Sequence, residues 1–266
     1  MLEDFQQSLS LMNGLENCNV RIYDDCSTEF DKAFLTKLFP YAAEIKVRNR
    51  NVGASMNIFL IFRDFLKTND DVLFMADSDL VFDPNCLTFI QNYFQYTDGF
   101  LSVYNAANHK SFAEKTIMGN VYCEKEMVGS AGSVFSREIV KDLVSNLPHK
   151  NGLGYDWAWS HYLHNIKKTK MLVSKRSYVQ HIGFYGYNCN GLSTMDYGLN
   201  FQSENIINSN IIIKHLEDLV LTMISTEKDG LYNKMIQSIY SSITYRVGYI
   251  VLLPVKKLRN LINSFM

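Results

Sequence analysis

What this chain does not have narrows it first. It carries no strong charge of either sign: 26 Lys and Arg stand against 27 Asp and Glu, a formal net charge of −1. No global basic field therefore points to nucleic acid as a partner. It has no Cys-x-x-Cys pair. The five cysteines, Cys18, Cys26, Cys86, Cys123 and Cys189, are odd in number and scattered. Such a set reads as reduced thiols of a cytoplasmic protein, not as a disulfide framework or a zinc site. No apolar run reaches the length that spans a bilayer, and there is no internal repeat or low-complexity tract. Met1-Leu2 leads straight into Glu3 and Asp4, which is not a secretory-leader pattern, so the expectation is a chain without one. A glycine-rich, Lys/Arg-bearing phosphate loop near the start is also missing, which argues against a nucleotidyltransferase. What remains is a 266-residue chain with 47% hydrophobic and 20% charged residues, enough to bury one large α/β core with an appended piece.

The stretch Val72–Phe82, VLFMADSDLVF, organises the rest. Val72 to Ala76 reads as a buried strand, and it ends in Asp77-Ser78-Asp79. Strand side chains repeat every second residue, so both carboxylates can point the same way. Two adjacent carboxylates repel unless a positive group lies between them. A divalent cation carrying a phosphate substrate is a natural guest, since Mg²⁺-type sites use one or two carboxylates plus phosphate oxygens. The plain alternative is a solvated acidic turn punctuated by Asp83-Pro84.

Taken in order, residues 3–16 predict a helix with Phe5, Leu9, Met12 and Leu15 on one face. Residues 19–23 predict a strand that ends in Asp24-Asp25-Cys26-Ser27. Those acids either cap the next helix or hold a nucleobase or ribose at the sheet's carboxyl edge. A helix over 31–39 stops near Pro40, and Glu44–Val47 forms a strand. Asn51-Val52-Gly53 then opens an apolar helix that runs to about Lys67, with free N–H groups suited to phosphate and Arg48 and Arg50 beside them. Residues 86–96 predict a helix and 99–104 a strand; residues 105–127 read as an irregular excursion. Gly129-Ser130-Ala131-Gly132-Ser133 reads as a turn that either packs tightly or lets a ligand approach the backbone.

Gly154-Tyr155-Asp156-Trp157-Ala158-Trp159 begins a further helix and contains both tryptophans of the protein. Asp156 is either a first-turn helix acid or a base, and the rings are either core or a platform for a sugar. His181, at the end of a strand in Val179-Gln180-His181-Ile182-Gly183, is either a structural histidine or a ligand that completes a carboxylate metal site. Residues 201–266 form a helical C-terminal extension, and the last 36 positions hold five basic residues and no acid. Val255, Leu258, Leu261, Ile262 and Phe265 recur at helical spacing beside Lys256, Lys257 and Arg259. That pattern suits either a peripheral contact with anionic lipid or a helix covering protein.

Each motif is weak alone, but their order resembles the family 2-like glycosyltransferases of the GT-A fold. The resemblance covers roughly residues 3–190. It implies a GT-A domain over 1–200: a mostly parallel sheet flanked by helices, with a nucleotide-sugar donor, most simply a UDP-sugar, at its carboxyl edge. It implies Asp24, Asp25, Asn51, Gly53 and Asp77 as donor-binding residues. Asp79 and His181 would be ligands of Mn²⁺ or Mg²⁺, and Asp156 the base of an inverting transfer. Tyr155, Trp157 or Trp159 would meet the glycan or lipid-linked acceptor. The expected setting is cell-surface polysaccharide synthesis, in the cytoplasm or peripherally at the inner face of the cell membrane. Two departures stand out. The family's first, apolar strand is missing before the 3–16 helix, which implies a gap in the sheet and weaker donor binding. The helix after Gly53 reads Ala54-Ser55-Met56-Asn57, with no arginine until Arg63. The competing reading is a catalytically impaired, glycosyltransferase-like binding or partner subunit.

Overall fold

The computed structural model describes residues 1–149, 154–184 and 196–226. The elements follow the chain as α1 (Leu2–Leu9), β1 (Arg21–Asp24), α2 (Lys32–Leu38), β2 (Glu44–Val47), α3 (Ala54–Phe65), β3 (Val72–Phe74), β4 (Leu80–Phe82) and α4 (Cys86–Tyr93). They continue as β5 (Phe100–Ser102), β6 (Ser111–Ile117), β7 (Asn120–Lys125), β8 (Ser133–Ser136), α5 (Arg137–Asn146), α6 (Tyr155–His161), β9 (Leu172–Ser174), β10 (Val179–His181) and α7 (Ile206–Thr226). The chain divides into two compact units. The first comprises Met1–Gly183 and Asp196–Asn208; the second begins with Phe184 and resumes at Ser209. In the second unit, Phe184 packs with Leu219 and Met223 of α7. The amphipathic stretch around Val255–Phe265 lies outside the described residues, as does Cys189. No helix among the described residues is long and apolar enough to cross a membrane.

The first unit is mixed α/β. Its main sheet has six strands in the order β3-β8-β5-β9-β7-β6. Side chains alternate between two cores. Leu101, Val134, Leu172 and Tyr122 face a cluster with Phe5 and Leu9 of α1, Leu35 of α2 and Leu87 and Ile90 of α4. Their neighbours Phe100, Phe135, Val173 and Cys123 face a cluster with Phe62 of α3, Val140 and Leu143 of α5 and Trp159 of α6. Both faces are covered, which is why the strands read as short unbroken apolar runs. Side chains cap helix starts: Asp31 accepts from the Phe34 N–H of α2 at 2.7 Å, Ser136 Oγ from the Ile139 N–H of α5 at 3.3 Å, and Asn205 Oδ1 from the Ile207 N–H of α7 at 2.8 Å.

Two expectations change. The ladders are not mostly parallel: β1·β2 and β5·β9 run parallel, while β3·β8, β5·β8, β7·β9, β6·β7 and β10·β4 run antiparallel. Alternating helix and strand signals suggested parallel crossovers, but β6·β7 is a hairpin and the other antiparallel ladders join strands that are distant in the chain. Residues 105–127 are not irregular. They hold the β6–β7 hairpin, which turns through Met118 (φ 50) and Gly119 (φ 79). Two successive positive φ values make the turn that suits a twisted hairpin. The hairpin escaped notice because Met-Gly is not a usual turn pair and because β6, a sheet edge, alternates between exposed and half-buried positions.

The C-terminal turn of α3 is closed by a residue far along the chain. Arg137 Nε donates to Asp70 O at 2.9 Å, Nη2 to Thr68 O at 2.9 Å and Nη1 to Leu66 O at 3.3 Å. Its guanidinium lies 4.9 Å from the centre of the Phe65 ring. Arg137→Ala is expected to lower unfolding free energy by about 2–3 kcal/mol, since several carbonyls lose a charged donor at once; chemical denaturation measures it.

Candidate active site

The carboxyl ends of β1, β2 and β3 and the N-termini of α3 and α6 meet at one edge of the first unit. Asp25, just past β1, accepts from the N–H groups of Val52 and Gly53 at 2.9 and 2.8 Å. Asn51 Oδ1 also accepts from the Gly53 N–H, at 3.0 Å. Asp25 therefore shapes the loop that opens α3, and Gly53, at φ +83, holds a backbone conformation that other residues resist. Asp24 is engaged locally, with its carboxylate accepting from the N–H and hydroxyl of Ser27. Arg48 Nε donates to Asn57 Oδ1 at 3.0 Å, and its Nη2 is buried without a partner, so one donor near the start of α3 is unused. The Tyr155 N–H donates to Ser55 Oγ at 3.2 Å, which sets the start of α6 against the start of α3 and brings Asp156 to the same edge.

The two acids after β3 occupy different settings. Asp77 accepts from Ser130 Oγ at 3.3 Å. Asp79 Oδ2 lies 3.0 Å from His181 Nε2. The pairing of β10 with β4, His181 opposite Leu80, brings that histidine to the acid. Asp79 Oδ1 and His181 Nδ1 are both buried and have no hydrogen-bond partner. Gly183 completes the arrangement: a Cβ there would sit 2.3 Å from Asp79 Oδ2 and 3.0 Å from its Cγ. Only the absence of a side chain at that position lets the carboxylate stand beside the imidazole.

Electrostatics mark the same place. Burial, and then the neighbouring Asp79 carboxylate, push the Asp77 carboxyl up to about 6. Burial pulls the His181 imidazole down, but the hydrogen bond to Asp79 and the charges of Asp79, Asp77 and Asp196 outweigh it, and its pKa ends above the ordinary histidine value. Burial raises the Asp156 and Asp196 carboxyls and lowers the His109 imidazole. The site is thus a partly buried cluster of acids with too little positive charge of its own, the condition a bound cation relieves. No group of three or more His, Cys, Asp or Glu among the described residues is arranged to hold a metal. Asp79 and His181 alone nonetheless suit a cation that draws its remaining ligands from phosphate and water.

Because Asp77 has its pKa raised on folding, its carboxylate form opposes folding above about pH 6. That opposition fades as pH falls through about 6 and is gone below the ordinary value near 3.8. In the presence of a chelator at neutral pH, Asp77→Asn is expected to stabilise the protein by roughly 1–2 kcal/mol, a figure reduced for a side chain that water partly reaches. Melting curves should show the gain at pH 7.5 and none near pH 3.5.

Of the three aromatic residues expected at the acceptor, two belong to the core. Trp159 is 0% exposed, against Phe100 and Phe135, and Tyr155 is 2% exposed, with its hydroxyl donating to Leu147 O at 3.2 Å. Positions 155 and 159 share a helix face one turn apart, and that face is buried. Trp157, on the other side of α6, is 55% exposed. Asp83 is not part of a solvated turn. It is 1% exposed and paired with Arg176. In the small-residue turn, Gly132 packs against Tyr104 and Val179, whereas Gly129 faces the His109 ring. His109, Lys125 and Asp196 border the site and were not anticipated, since each is a single polar residue in a polar stretch.

No protein-family model and no curated protein matches the chain. Among solved structures it is similar to S. aureus TarS 1–349 in complex with UDP-GlcNAc, at a TM-score of 0.49 and 14% identity, over 79% of this chain and 66% of that one. It is also similar to A197 from STIV, at a TM-score of 0.42 and 15% identity, over 70% of this chain and 95% of that one.

Proposed function

We propose that this chain is a glycosyltransferase of the GT-A type, which moves a sugar from a UDP-sugar to a hydroxyl of a glycan or lipid-linked acceptor with inversion. The observation that carries the reading is the meeting of Asp79 with His181, each with a buried, unpartnered polar atom, beside Asp77 and Asp156. Asp79 and His181 would hold Mn²⁺ or Mg²⁺, and a divalent ion there supplies Lewis-acid stabilisation of the departing diphosphate. Asp25 and Asn51 hold the loop at Gly53, and the first turn of α3 that it opens presents N–H groups to the donor phosphates. Asp77 orients the donor beside them. Asp156 accepts the proton of the acceptor hydroxyl while that oxygen bonds to the anomeric carbon. The bond from that carbon to the diphosphate breaks in the same step, and its electron pair leaves with the diphosphate oxygen. The setting that fits is cytoplasmic cell-surface glycan synthesis, with the basic C-terminal segment as the membrane contact.

The test is a set of UDP-sugars with Mn²⁺ and mixed saccharide acceptors, followed by UDP release. Cation-dependent release, lost in Asp79→Ala, supports the reading. Turnover unaffected by a chelator and by Asp79→Ala would sink it.

A specific feature favours the impaired-subunit reading as the second. Among the described residues β1 pairs only with β2, and β3 pairs only with β8. All four residues of β1 are only half-buried, and Val72 of β3 is 40% exposed, whereas β4, β5 and β9 are fully buried. Each of these strands therefore has an edge open to another. If calorimetry detects no UDP binding with Mn²⁺, and binding appears once an apolar extended peptide that pairs with these open edges is supplied, the impaired-subunit reading is upheld.

A further inference from the structure

We propose that Ser55 is the positioning residue of the base: its hydroxyl caps α6 from outside that helix and so fixes where Asp156 stands relative to the start of α3. The proposal rests on the reading above for the role of Asp156 as a base, not for how Asp156 is held.

The start of α6 has no cap of its own. The first N–H groups of a helix lack partners within it, and the residue before Tyr155 is Gly154, which has no side chain to offer. A side chain would not fit there: a Cβ at Gly154 would stand 2.8 Å from Trp157 Cδ1 and 3.0 Å from Asp156 Oδ1. The φ of Gly154 is −58°, so space and not backbone conformation demands the glycine. Part of the crowding comes from Asp156 itself, whose Oδ1 folds back to accept the Trp157 N–H at 2.9 Å. The arrangement of the carboxylate thus excludes a local cap. The acceptor for the Tyr155 N–H comes instead from another helix: it is Ser55 Oγ of α3, at 3.2 Å.

Two attachments hold residue 155 to α3, and they do different things. The Tyr155 ring packs edge-on against Phe59 and Phe62, with centres 5.4 and 5.9 Å apart. That anchor is buried, but apolar burial is non-directional, so by itself it lets the start of the helix pivot. The bond from the Tyr155 N–H to Ser55 Oγ is directional and fixes the pivot. Asp156 is the next residue and moves with it. Ser55 also lies in the first turn of α3, whose free N–H groups meet the donor phosphates in the proposed reaction. Its backbone therefore serves the donor end, while its side chain holds the helix of the base. Alanine at this position keeps the first and loses the second.

The experiment compares Ser55→Ala with Ser55→Thr, which keeps the hydroxyl, in the full chain. In Ser55→Ala, hydrogen exchange at the Tyr155 amide should quicken by at least about tenfold, while exchange at Trp159, one turn on, stays as in the wild type. The Asp156 carboxyl, followed by carbon NMR, should titrate nearer the ordinary aspartate value, because a loosened first turn admits water to a group that burial now raises. The kcat for transfer should fall by about tenfold, the size of one lost hydrogen bond, with KM for the UDP-sugar unchanged. Ser55→Thr should restore all three. If Ser55→Ala fails to fold, Ser55→Cys, similar in size but a weak acceptor, carries the same expectations. The proposal is overturned if Tyr155 exchange and the Asp156 titration stay as in the wild type, if Trp159 exchange quickens equally, or if threonine restores nothing. A wild type that turns over no UDP-sugar, with exchange and titration shifted in Ser55→Ala, would uphold the positioning of Asp156 and refute the transferase reading instead.

Discussion

Asp156→Asn is expected to lower kcat for sugar transfer by about 10²- to 10⁴-fold, the usual contribution of a positioned general base. UDP binding should be unchanged. Asparagine keeps the shape and can still accept the Trp157 N–H, which Asp156 Oδ1 now does at 2.9 Å, so the start of α6 should survive. What it loses is the ability to take a proton. The pH profile gives a second, independent readout. Burial raises the Asp156 carboxyl above its ordinary value, with backbone N–H donors, the Trp157 N–H first, and then the His109 charge opposing that shift only in part. The base works only when ionised. The rate should therefore fall on the acid side at a higher pH than an exposed aspartate would give, and this limb should vanish from the residual activity of the variant. A variant whose rate stays within a few-fold of the wild type would remove Asp156 from the chemistry.

Gly183→Ala is expected to cost about 10- to 100-fold in divalent-cation affinity, the size usual for disturbing a ligand's support. The added Cβ would stand 2.3 Å from Asp79 Oδ2, 3.0 Å from Cγ and 3.1 Å from the Asp79 Cβ. The whole Asp79 side chain has to move, not merely its tip. Moving it breaks the 3.0 Å contact with His181. The backbone at Gly183 does not resist alanine, since its φ is not in the left-handed region, so the fold should persist. Calorimetry with Mn²⁺ and UDP measures the loss, and circular dichroism checks the fold. Equal affinity in variant and wild type would mean that Asp79 and His181 do not grip a cation together.

Some of this site was legible along the chain and some was not. Asp77 and Asp79 stood out because a short apolar strand ends in them, and a strand end is a local signal. Asn51 and Gly53 were legible in the same way, as a loop entering a helix. The role of Asp25 in holding that loop was not, because it depends on hydrogen bonds between segments adjacent only in space. The choice among the aromatics was within reach: Tyr155 and Trp159 share a buried face by helical spacing, and that spacing leaves Trp157 outside. Nothing local marked Lys125, His109 or Asp196, which matter through the bridge between Ala106 and Gly198.

The sequence by itself determined the helices α1 to α6, the apolar runs of a sheet covered on both faces, and the acids at the strand ends. These depend on propensity, capping and periodicity, which act over a few residues. Only the tertiary structure decided which strands run antiparallel, that His181 reaches Asp79 across the β4–β10 ladder, and that Gly183 leaves space for that contact. Those outcomes depend on pairing between distant segments. Their energies arise from burial and charge that exist only once the sheet has formed.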